Sequence, residues 1–120
     1  MRETIFHPRA RETLRSFPDG VKREIGKAIF ELQKGERLSL PLSKPMPSVG
    51  QGVEELRIRD QSRAYRVFYF VKSIRGVLVF HAFVKKTRKT APREIALGRQ
   101  RLREMLLYEK NQTPIHENGR

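Results

Sequence analysis

The 120-residue chain has no cysteine, which excludes a disulfide framework and any thiolate metal centre. Its histidines, His7, His81 and His116, stand far apart, and no HxxxH or paired-carboxylate spacing occurs. Neither a metal nor another cofactor is therefore expected. No apolar run approaches membrane-spanning length, and the opening MRETIFHPRARETLR lacks the apolar region of a signal peptide. A soluble, cytoplasmic protein without a membrane partner is expected. Internal repeats and low-complexity tracts are also missing. The most telling absence is of acid: from 61 to 93 there is no Asp or Glu, while nine Lys and Arg carry +9 of the formal +13.

What is present fits one domain with a modest core that needs no staples. A sequence pI near 10.9 points to nucleic acid, the ribosome or an acidic protein partner. Most of the charge lies in 52–93, where β-rich runs at 53–59, 64–71 and 77–86 are parted by short polar breaks at 60–62 and 72–76. That pattern predicts consecutive antiparallel hairpins. With a two-residue period, Leu56 and Ile58 point one way and Arg57 and Arg59 the other. Arg66 shares a face with Phe68 and Phe70, opposite Tyr65, Val67, Tyr69 and Val71. Lys86 follows Phe80, Ala82 and Val84, whereas Lys85 follows Val79, His81 and Phe83. The expectation is a sheet with one packed face and one facing a polyanion. A merely solvated face is the alternative, and the missing acids argue against it.

Around this meander the chain is more ordinary. Residues 4–6 are a short apolar edge strand stopped by Pro8, and 9–17 a short helix with Ala10, Leu14 and Phe17 on one side. Ser16, three positions before Asp19, is expected to cap a second helix. Val21, Ile25, Ala28, Ile29 and Leu32 form its stripe, and Gly35 is its stop. This helical hairpin should cover the Leu56/Ile58 side of the sheet. Residues 35–52 have no period and hold Pro41, Pro45, Pro47, Gly50 and Gly52, so a long connection is expected there. Thr90 is expected to cap a last helix with Pro92 in its first turn, striped by Ile95, Leu102 and Leu106. Gly98 on that stripe suggests close approach to the sheet.

The runs VEELRIRD, AYRVFYF, VLVFHAFVKKTRKTAPREI and ALGRQRLREM, in this order of elements, resemble the RelE/ParE superfamily of toxins, in its HigB-like, phage-related branch. The resemblance implies an α+β fold, an antiparallel β-sheet with an N-terminal helical hairpin packed on one face and a C-terminal helix beside a cationic cleft. One toxin domain would span 1–109, with a mobile tail over 110–120. It implies the toxin of a type II toxin–antitoxin pair, a metal-independent endoribonuclease that cuts messenger RNA on the ribosome. A cognate antitoxin, of helix-turn-helix DNA-binding type, would be its partner. Arg57, Arg59, Arg66 and Lys86 match the family's basic site positions, and Arg63, Lys85, Arg88 and Lys89 would hold RNA. Two departures stand out. RelE-type sites carry lysines where this chain has Arg57 and Arg59, and a C-terminal tyrosine used by some members has no match near Pro92. An arginine is a poor general base, so proton transfer is left between Lys86 and His81. A ParE-like DNA gyrase inhibitor and a non-catalytic RNA-binding module are the alternative readings.

Overall fold

Alternating apolar runs and two amphipathic stripes build the fold, seen in a computed structural model that describes residues 1–112. Its elements are β1 (Thr4–Phe6), α1 (Pro8–Arg15), α2 (Asp19–Gln33), β2 (Ser43–Pro45), β3 (Val53–Arg59), β4 (Ala64–Phe70), β5 (Val77–Lys85) and α3 (Pro92–Gln112). The fold is α+β, as expected. The strands form one sheet in the order β1-β5-β4-β3-β2. β2 through β5 pair antiparallel, but β1 joins β5 in parallel, so the sheet is mixed. Gly76 allows that junction. Its φ is +142°, and a Cβ there would lie 2.3 Å from the Glu3 carbonyl oxygen, which accepts the Val77 N–H.

β2 arises inside 35–52, where no regular structure was expected. It is an edge strand of three residues ending at Pro45, which has no N–H to offer a further strand. α2 ends as its sequence dictates: Gly35, at φ +91°, donates its N–H to Leu32 O, and Glu36 N–H reaches Glu31 O. The two expected caps form elsewhere. Ser16 closes α1, its Oγ donating to Thr13 O, and Pro18 occupies the N-cap of α2. Thr90 Oγ1 donates to Glu55 on β3 instead of capping α3. Helix α3 runs on to Gln112, and the rest of the expected tail, 113–120, lies outside the described residues together with His116.

Both faces of the sheet are packed. On one, Val21, Ile25, Ala28, Ile29 and Leu32 of α2 meet Leu56, Ile58, Tyr65, Val67 and Tyr69. On the other, Leu102 and Met105 of α3 join Val53, Phe68, Leu78, Phe80 and Phe83 in a second core. The expected open polyanion face is thus a divided one: α3 covers its apolar half and leaves the cationic half beside the helix N-terminus. Two features bring α3 so close. Gly98 is one, since a Cβ there would stand 2.8 Å from the Phe68 ring. The other is a bulge in β5. Phe68 pairs with His81 and Tyr69 with Val79, leaving Phe80 between them. Phe80 and His81 therefore both face α3, and beyond the bulge the alternation is inverted.

Candidate functional site

The cross-strand register assembles the uncovered half. Arg57 on β3 is directly opposite Arg66 on β4, which is opposite Phe83 on β5. The next row outward carries Arg59, Ala64 and Lys85, and the row inward carries Lys44, Glu55, Phe68 and His81. Two arginines face to face on adjacent strands repel one another, which is destabilising unless an anion sits between them. Burial sharpens the problem, because Arg66 is only 5% exposed. Its Nη1 donates to Tyr65 O at 3.1 Å, and its Nε lies 3.7 Å from Glu55 Oε1, too far for a hydrogen bond. The Nε atoms of both Arg57 and Arg66 are buried without a hydrogen-bond partner. An orphaned buried donor of this kind costs about 1–3 kcal/mol, more when charged. An oxyanion is the kind of acceptor that these donors lack.

Glu55 is 2% exposed and has two duties here. It offsets part of the arginine charge and, through Thr90, ties the 86–91 loop down onto β3. Burial lowers the Arg66 pKa from its ordinary value; Glu55 opposes that, and Arg57 and Arg59 add to it. The Lys85 ammonium is likewise pulled down, first by burial and then by Arg66, with Glu55 opposing and Arg57 and Lys44 reinforcing. Lys85 is thus held in a field of like charge at the mouth of the cleft.

Several expected site residues lie elsewhere. His81 is buried under α3 with both ring nitrogens engaged. Arg101 Nη1 donates to Nδ1 at 2.8 Å, so Nε2 carries the proton and donates to Glu94 Oε1 at 2.7 Å. Burial lowers its pKa, Glu94 counteracts this, and Arg101 and His7 add to the lowering. Lys86 is past the end of β5 and exposed, as are Arg88 and Lys89, and Arg63 is exposed in the β3–β4 turn, while Arg59, though exposed, keeps its place one row outward from Arg57. Lys86 and Arg63 instead join Lys85, Phe83, Arg93 and Glu94 around a neighbouring depression of about 440 Å³. Sequence reasoning passed over Glu55, Lys44 and Arg93. For Glu55 the signal was present, since two-residue spacing places it on the face of Arg57 and Arg59. Lys44 reaches the site only through the unforeseen β2.

The sequence profile described as Phage derived protein Gp49-like (DUF891) matches residues 12–103, from within α1 to the middle of α3. The chain belongs to the Gp49-like family. This is a toxin-like, phage-derived family. Comparison with curated proteins gave no match. Within the Gp49-like span lie all the cleft residues, Lys44, Glu55, Arg57, Arg66, Lys85 and Thr90. Among the described residues, no helix is long and apolar enough to cross a membrane.

Proposed function

We propose that this Gp49-like protein is the toxin of a toxin–antitoxin pair and acts in the cytoplasm as a metal-independent endoribonuclease on messenger RNA at the ribosome. One observation carries the reading: the Nε–H groups of Arg57 and Arg66, at directly paired positions of β3 and β4, are both buried without a hydrogen-bond partner among the described residues. An oxyanion is the ligand such a pair demands, and a phosphodiester on which charge develops demands such donors. In the reaction the 2′-oxygen bonds to phosphorus and the bond to the 5′-oxygen breaks. The 2′-hydroxyl proton must leave to a base, and the departing 5′-oxygen must receive a proton. Arg57 and Arg66 hold the phosphoryl oxygens, and Lys85, one row outward from Arg66 with its Nζ donating to Arg88 O, is the ammonium placed to protonate the departing 5′-oxygen. His81 takes the part of a positioning residue, because its nitrogens are already committed to Glu94 and Arg101. An antitoxin would act by filling or deforming this cleft.

The test is to map 5′ ends of cellular RNA after brief induction. Wild type should create new ends within coding frames. Arg66→Ala, at equal abundance and with an unchanged melting temperature, should cut slower by on the order of 10²–10³. Intact messages accompanied by DNA breaks or filamentation would overturn the ribonuclease reading in favour of gyrase.

A further inference from the structure

The depression beside the clamp is chemically unlike it. Its rim is cationic, with Arg63, Lys85, Lys86 and Arg93, and the Phe83 ring contributes an apolar wall. Glu94, in the first turn of α3, adds one carboxylate. A bare phosphate or an acidic peptide would gain from the rim and be repelled by Glu94. A nucleotide suits both, because its phosphate and its base present different chemistry about one sugar apart. Glu94 is also oriented. Its Oε1 is fixed by the Nε2–H of His81 at 2.7 Å, and Arg101 fixes the His81 tautomer from the other side. Its Oε2 makes no hydrogen bond among the described residues, and the side chain is 22% exposed.

From this we infer that the depression is a base-reading subsite for a nucleotide flanking the scissile phosphate, in which Glu94 Oε2 accepts a hydrogen bond from an exocyclic amino group. The inference rests on the proposed ribonuclease activity and adds to it a residue that determines specificity. The rim cations hold the flanking phosphate, and Lys85 is common to the clamp and the subsite. Adenine, cytosine and guanine carry an amino group and uracil does not, so Glu94 selects against uracil at one position.

The test uses the isosteric variant Glu94→Gln. Glutamine keeps an oxygen for the His81 Nε2–H and puts an amide NH2 where Oε2 was, so the fold and the His81 contact are preserved while the acceptor becomes a donor. Cut sites would be mapped for wild type, E94Q and E94D by sequencing 5′ ends. Wild type is expected to disfavour uracil at one fixed position next to the cut by roughly tenfold, the scale of one charge-assisted hydrogen bond. In E94Q that bias should vanish or invert towards bases that present a carbonyl, and in E94D it should weaken without inverting. Melting temperatures checked alongside would identify a fold defect, in which case E94D alone decides. Wild-type cuts whose flanking bases are unaltered in the folded variants would overturn this subsite and leave the ribonuclease reading standing. Absence of any wild-type cuts would overturn both.

Discussion

At the scale of single residues, the same side-chain chemistry has opposite meanings in two places on one face of the sheet. Arg66 and His81 are both buried beneath or beside α3, yet only His81 has its polar atoms fully engaged. His81 is thereby a neutral ring with one defined tautomer, and its lowered pKa is a statement about stability. A histidine that is harder to protonate when folded contributes stability that is complete above its ordinary value of 6.5. That contribution is lost as the pH falls from 6.5 through the lower folded-state value, because the unfolded chain binds the proton more readily. Glu94, Arg101 and His7 act on the ring, and Glu104, its carboxyl held low chiefly by the His7 hydrogen bond, loses its own contribution at still lower pH. Denaturant unfolding followed from about pH 8 to about pH 5 should therefore show stability falling below neutrality. His81→Gln should be less stable at the upper end and flatter across this range. An identical pH slope in the variant would mean that His81 does not carry the effect.

At the scale of elements, α3 decides how much of the sheet is left open. It approaches through Gly98, whose hydrogen is all that the Phe68 ring and Val49 tolerate at that point. Gly98→Ala must push the ring or the helix, and overpacking of this kind typically costs about 1–3 kcal/mol. Gly26 is on the exposed side of α2, and a Cβ added there would meet nothing within 4 Å. Gly26→Ala should stabilise by up to about 1 kcal/mol through helix propensity alone. The pair forms an internally controlled measurement of melting temperature, with opposite signs expected. Two glycines that responded alike would show that α3 does not pack as closely as Gly98 requires. The hairpin side has no such choke point. Its stripe of Val21, Ile25, Ala28, Ile29 and Leu32 packs through side chains of ordinary size.

At the scale of the whole molecule, two cores on opposite faces of one sheet leave its charged side chains to the outer faces of the helices, the sheet ends and the half-face beside α3. The formal +13 is unevenly spread, and its uncompensated part gathers where Arg57, Arg66 and Lys85 meet the rim of the neighbouring depression. Binding of single-stranded RNA should therefore release counterions. With roughly three phosphates contacted, log K against log salt should fall with a slope of about −2. An uncleavable oligonucleotide titrated across a salt series checks this. Charge reversal by Lys86→Glu should make the slope shallower by about 0.7, the share of one phosphate contact. A slope indifferent to that reversal would remove Lys86 from the RNA path.

Much of this was written in the sequence because it depends on local period and local chemistry. The two-residue alternation turned Arg57 and Arg59 away from Leu56 and Ile58 and put Arg66 with Phe68 and Phe70, the stripe of α2 found its side of the sheet, and Gly35 ended that helix where a left-handed residue was needed. The nine bases without an acid between 61 and 93 marked the region before any contact was known. What the sequence could not decide was anything set by strands meeting from far apart. The parallel docking of β1 on β5, the addition of β2 with Lys44 and the engagement of Thr90 by Glu55 all join segments distant along the chain. The bulge at Phe80 is the clearest case. One extra residue, invisible as a pattern, inverts the alternation behind it and sends Lys85 instead of Lys86 to the face of Arg57 and Arg66. Periodicity records which residues alternate, but only the paired strands determine where the count restarts.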